Sequence, residues 1–125
     1  KYEKSMNVPM LLPIPKKVPA LGFYYHYKHD PSGVVNNYAY EVVGVGFHTE
    51  DDCRLGEEHF VVYRPLYDAS IFKAAKDFGV PFFDNRPLEM WMGDVTKDSK
   101  TFPRFQKIND PQVIAELERV RGKMY

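Results

Sequence analysis

Cysteine is nearly absent. Cys53 is the only one in 125 residues, so no internal disulfide can staple the chain, and the composition fits a reducing, cytoplasmic setting. An excess of either charge is missing too. Seventeen Lys and Arg balance seventeen Asp and Glu, which argues against whole-surface attraction to nucleic acid or to an anionic membrane and leaves only a local basic patch open. No run approaches the roughly 18 apolar residues that span a bilayer, so no membrane partner is expected. No signal-peptide pattern is visible, and the start at Lys1 leaves open what precedes it.

The phosphate and catalytic motifs are missing as well. Gly44-Val45-Gly46 begins like a dinucleotide loop, but Thr49 stands where the third glycine belongs and no helix follows. There is no P-loop, and no serine sits in a nucleophile elbow. His26-x-x-His29 with Asp30 has the residue types of a metal site or a His-Asp pair, yet residues three apart on a strand point to opposite faces. They converge only if the strand ends between them. No metal or cofactor is expected. Cys53 stands beside Asp51 and Asp52, which disfavour a thiolate and hence a nucleophilic role.

What is present is material for a core. Hydrophobic residues make up 44% and aromatics 15%, with nine Tyr and nine Phe. That excludes a disordered chain and fits one domain. Residues 1–21 hold Pro9, Pro13, Pro15 and Pro19, which predict an extended arm. The arm contains no PxxP, so packing along the domain through Leu11, Leu12 and Ile14 is the plainer expectation than an SH3 or WW ligand.

Alternation predicts a first strand over Gly22–Lys28, with Phe23, Tyr25 and Tyr27 on one face and Tyr24, His26 and Lys28 on the other. A polar loop over 30–37 leads to a strand near Tyr40–His48, with Val43, Val45 and Phe47 inward and Gly44 and Gly46 opposite, where they suit a bend. The acidic segment 49–58 reads as a loop. A third strand over Glu58–Tyr67 is interrupted by Pro65, which marks an edge or a bulge. Asp68 is positioned to cap a short helix over Ala69–Phe78, stopped by Gly79. A strand over Arg86–Met92 would put Leu88, Met90 and Met92 on one face, and a last strand is predicted over Phe102–Ile108. The C-terminal segment 109–125 has the strongest helical pattern: Asp110 as N-cap, Pro111 at the first position, and the stripe Val113, Ile114, Leu117, Val120. No internal repeat is present.

Three segments in order carry a resemblance. They are Tyr24-Tyr25-His26-Tyr27-Lys28 followed by Tyr40-Glu41-Val42-Val43-Gly44-Val45; Val61-Val62-Tyr63-Arg64-Pro65-Leu66-Tyr67; and Arg86-Pro87-Leu88-Glu89-Met90-Trp91, closed by Pro103-Arg104-Phe105. Over roughly residues 22 to 108 the chain resembles the mostly bacterial domain-of-unknown-function family sixteen fifty-three. The resemblance implies a small SH3-like β-barrel with no established activity; the residues themselves, with about five short strands and two helices, predict a mainly-β small curved sheet or barrel. Against that pattern the loop over 30–37, the acidic loop after His48 and the helix between Tyr67 and Arg86 are expansions. The proline arm and the C-terminal helix are additions.

The family-like segments supply the ligand-binding candidates: Tyr25, His26, Tyr27, His48, Tyr63, Arg64, Arg86, Glu89 and Trp91. Tyr, Trp and Arg dominate interface hot spots, and aromatic rings on a barrel can stack bases. The plainer account is that the rings fill a small core while arginine pairs with Glu89. By parity with Phe60 and Val62, Arg64 shares their face, and a buried arginine needs a partner; Glu89 is the expected one, with Asp84 second. No catalytic residue is assigned. The expected function is a non-enzymatic binding module for a protein segment or a nucleic acid. The alternative is an enzyme or small-molecule binder with His26, His48, Arg64 and Glu89 around one pocket. In a third reading the arm and terminal helix dock the domain into a host complex.

Overall fold

A computed structural model describes residues 14–50 and 52–125. Along the chain run β1 (Gly22–His26), β2 (Ala39–Phe47), β3 (His59–Pro65), α1 (Ser70–Phe78), β4 (Asp84–Pro87), α2 (Leu88–Met92), β5 (Asp94–Lys97), β6 (Lys100–Pro103), β7 (Phe105–Lys107) and α3 (Pro111–Met124). Five of these strands pair in the order β4-β3-β2-β1-β7, and every pairing is antiparallel. β5 and β6 form a separate hairpin. The mainly-β expectation holds, with a short helix inserted before β4 and a helix at the C-terminal end.

The sheet buries both faces. Partners directly opposite each other share a face, so the register sorts the side chains. Phe23, Tyr25, Ala39, Glu41 and Arg64 fall on one side, and Tyr24, Tyr40, Val42, Tyr63, Asp84 and Phe105 on the other. The first side packs Phe23, Ala39, Leu66 and Ile108 beneath Leu117 of α3. The second gathers Tyr24, Val42, Val61, Tyr63 and Phe105 with Leu88 and Trp91 of α2. The aromatic side is spanned by α2, which follows edge strand β4 and stacks Trp91 on Phe105 of the opposite edge strand at 3.6 Å. No closed barrel forms among the described residues, because β4 and β7 do not pair.

Several elements differ from the sequence expectation for identifiable reasons. The segment Arg86–Met92 is not one strand. Strand β4 ends at Pro87 and the next five residues turn helical, burying Leu88 and Trp91 at i, i+3 spacing and leaving Met90 and Met92 outside. In β2 the register shifts between Val42 and Gly44, a bulge that buries Val42 and turns Val43 out to solvent. Pro65 is the last residue of β3 and lies beyond the stretch paired with β4, so its missing N–H breaks no ladder bond on that side. Helix α1 is capped by Ala69 rather than Asp68, with Gly79 in the left-handed conformation at φ 72°. The expected last strand divides at Arg104 into β6 and β7.

In α3, Asp110 accepts from the backbone N–H of Gln112 and Pro111 opens the helix, as the sequence predicts. Of the arm, Leu11 and Leu12 lie outside the described residues, and Ile14 is largely exposed.

Candidate functional site

A cleft of about 430 Å³ opens where the end of β1 meets β6, β7 and the start of α3. Tyr25, His26, Tyr27, His29, Phe102 and Lys107 are among its lining residues. Three expected candidates therefore come together here, joined by His29, which the sequence raised only as a metal-type residue, and by Phe102 and Lys107, which it did not single out. Tyr25 is held by a hydrogen bond from its hydroxyl to the carbonyl of Val35 (2.5 Å) and by stacking on His29 at 3.5 Å. Burial raises its phenol pKa, with the charges of Glu116 and Asp110 adding to the effect. His29 Nδ1 lies 2.7 Å from the carbonyl oxygen of Asn37. A carbonyl can only accept, so Nδ1 carries a proton, which in the neutral ring leaves Nε2 as the acceptor. The loop behind them is tied by Asn37, whose side chain accepts from Asp30 N–H and donates to the carbonyls of Asp30 and Val34.

His26 has the opposite tautomer. Its Nδ1 accepts from Lys28 N–H at 3.2 Å, which leaves the proton of the neutral ring on Nε2. The ring lies among Tyr27 (4.3 Å between centroids), Phe105 (5.1 Å) and Tyr38 (5.8 Å). Tyr38 sits at φ 50°, an uncommon conformation for a bulky residue. Burial, helped by the positive charges of Arg86, Lys28 and Arg104, lowers the His26 pKa to about 4. The ring is neutral at physiological pH. Tyr27 tilts against Phe102 at 5.7 Å.

The main chain of β7 gives the cleft a second property. Tyr27 N–H donates to the carbonyl of Arg104 and Ile108 N–H donates to that of Phe23. With Tyr24 opposite Lys107 and His26 opposite Phe105, antiparallel alternation aims the N–H and C=O groups of Phe105 and Lys107 away from β1. Among the described residues they form an unpaired edge of the sheet.

Tyr63, Arg86 and Trp91 meet elsewhere, in the aromatic core. Tyr63 and Trp91 are buried, with centroids 4.6 Å apart. Arg86 Nε donates to the Tyr63 hydroxyl (3.2 Å) and one terminal nitrogen donates to the sulfur of Met90 (3.3 Å). Tyr40 and Tyr67 share a hydroxyl–hydroxyl hydrogen bond, and burial raises the pKa values of Tyr40, Tyr63 and Asp84. For Tyr63 and Trp91 the core-filling account is the observed one.

The remaining candidates stand apart. Arg64 is on the α3 side, as its parity with Phe60 and Val62 required, but its partner is not Glu89 or Asp84. Glu41, directly across on β2, accepts from it at 2.9 and 3.0 Å and also binds Arg121 of α3 at 2.7 Å. The guanidinium of Arg64 covers the ring of Tyr125 at 3.9 Å. The signal for Glu41 was its register position, which becomes readable only once β2 and β3 are paired. Glu89 lines a different cleft, with Gly56, Glu58 and His59. His48 lies past the end of β2, where its Nδ1 accepts from Glu50 N–H. His26, His48, Arg64 and Glu89 therefore do not converge in either cleft. Among the described residues no group of three His, Cys, Asp or Glu side chains is arranged to hold a metal ion, and no helix is long and apolar enough to cross a membrane.

These features define a small mainly-β domain: an open antiparallel sheet with one aromatic face and a cleft along its β1–β7 edge. Residues 22–107 match the family described as proteins of unknown function (DUF1653), and the chain belongs to that family. The matched stretch runs from the start of β1 to the end of β7, so α3 lies beyond it. No curated protein and no solved structure matches the chain.

Proposed function

We propose that the protein is a binding module rather than an enzyme, and that its ligand is a protein segment lying extended along β7. The observation that carries this reading is the outward main-chain edge of β7 at Phe105 and Lys107, unpaired among the described residues, which meets a cleft lined by aromatic rings at Lys107. An added strand draws affinity from main-chain hydrogen bonds and specificity from side pockets. Here Tyr27 and Phe102 would supply one pocket wall, and Tyr25 with His29 the other. Residues 22–108 form the binding unit in this reading, the helix over 109–125 backs it, and the arm over 1–21 is an accessory. The single cysteine supports a cytoplasmic setting.

The test uses a library of random peptides displayed on phage and selected on the full chain. Enriched peptides should bind the Lys107→Ala variant and lose binding to Lys107→Pro. Proline removes the outward amide but leaves the bonds to β1 intact, since the Lys107 N–H does not face β1. Peptides that bind both variants equally, or no enrichment at all, would overturn the proposal. Retention of single-stranded RNA that falls steeply with salt would favour the nucleic-acid ligand instead.

A further inference from the structure

In the cleft beside β7 several polar tips are turned back onto the chain itself. The Tyr25 hydroxyl donates to the carbonyl of Val35, His29 Nδ1 donates to that of Asn37, and His26 Nδ1 accepts from Lys28 N–H. Two residues of full formal charge line it, Lys107 and Asp110, and they are opposite in sign. Lys107 Nζ donates to the carbonyl of Ile108 at 3.3 Å, and Asp110 accepts from Gln112 N–H as the cap of α3. What the cleft offers a ligand is therefore chiefly ring and hydrocarbon: Tyr25 stacked on His29, Tyr27 against Phe102, and Val113. A ligand charge would lose water there and meet one like charge for each opposite one. An aromatic ring would instead gain offset and edge contacts with rings already held in position.

The register of β7 fixes which residues of an added strand would face this lining. Tyr25 stands opposite Gln106, and Ile108 and Val113 pack with the core on the α3 side. All four line the cleft, so it opens mainly on the α3 side of β7. Lys107, whose outward main chain would bond the ligand, has its own side chain on the other side, opposite Tyr24. Residues directly opposite in a ladder share a face, and successive residues alternate. The ligand residue opposite Lys107 therefore points away from the cleft, while the residues before and after it point in. We propose that the segment carries uncharged aromatic side chains at these two positions, with one residue between them. This inference rests on strand addition at β7 and names the chemistry of what is added. The cleft volume of about 430 Å³ falls within the roughly 300–1,000 Å³ of sites that enclose a small ligand, which is more room than one side chain needs.

The experiment measures, by fluorescence anisotropy, the affinity of the full chain for synthetic copies of the phage-selected peptides. These should carry Tyr, Phe or Trp at two positions separated by one residue. Leucine in place of either ring should weaken binding roughly tenfold, the worth of one ring contact beyond its buried area. Aspartate or lysine in either place should weaken it roughly a hundredfold. Phe102→Ala should lose affinity for the aromatic peptide and much less for its leucine counterpart, a coupling that a general loss of folding does not produce. Peptides that depend on the Lys107 amide, yet lack the paired rings or accept Asp and Lys in their place, would overturn this inference and leave strand addition standing. Peptides with paired rings that bind Lys107→Pro unchanged would sink strand addition, and with it the register that sets the two positions.

Discussion

The two faces of the sheet solve the same burial problem with different chemistry. The α3 side is mainly aliphatic beneath a 14-residue helix and is sealed at its rim by Glu41 between Arg64 and Arg121. The other side is covered by a five-residue helix and by aromatic rings packed on one another. Rings with hydroxyl or charged neighbours keep a polar tip, so that side also holds His26, Tyr40, Asp84 and Arg86. On the α3 side the buried cluster holds one ring, Phe23, without a polar tip, and the Tyr25 hydroxyl stands at its margin. Alternation along β1 makes the division residue by residue: Phe23 and Tyr25 serve the helix side, Tyr24 and His26 the polar aromatic one.

The largest test sets the two cores against each other. Trp91→Ala should cost about 4 kcal/mol, because it removes the ring stacked on Phe105 and leaves the space between the two sheet edges unfilled. Leu117→Ala, at a site fully buried against Phe23 and Ala39, should cost about 3 kcal/mol. Urea unfolding of both variants checks the order. A smaller loss at Trp91 would mean that the aromatic side is lining for a site rather than core.

A middle-sized effect is expected at the rim. Glu41→Gln keeps the side-chain shape but leaves Arg64 and Arg121 facing a neutral group. Both arginines retain some access to water, so the loss should be about 1–2 kcal/mol rather than that of a fully buried pair. The same urea curves measure it. No loss would mean that the ion pairs orient α3 without stabilising it.

How much of this was legible depended on whether the signal was local. α3 was readable because Asp110, Pro111 and the Val113–Val120 stripe lie in one short segment. The family-like segments did fall on β1, β2, β3 and the β4–α2 junction. Helix α2 was misread because five residues between Pro87 and Gly93 cannot distinguish a period of 2 from 3.6, and three spaced apolar residues suggested a strand. The β5–β6 hairpin escaped notice because its turn puts Asp98 and Ser99 at positive φ without the glycine that normally marks such turns. At the cleft, Tyr25, His26 and Tyr27 were found together because they are neighbours in sequence. Phe102 and Lys107 were missed because only the pairing of β7 with β1 carries them there.

The last effect separates the faces by pH. The His26 pKa in the folded chain is about 4, against an ordinary value near 6.5. Between those values the unfolded chain takes up a proton that the folded chain refuses. Stability is therefore fully present above pH 6.5 and falls as the pH drops toward 4. Asp84 acts in the opposite sense, since burial raises its pKa and the folded state holds its proton more tightly. The His26 contribution is isolated by comparing urea midpoints of the wild type and His26→Asn at pH 7 and pH 4.5. The variant should lose less of its stability on acidification. Leu117→Ala, on the far side of the sheet, should lower the midpoint at both pH values by the same amount. If instead it flattens the pH dependence as His26→Asn does, the two faces are not independent and the division drawn from β1 fails.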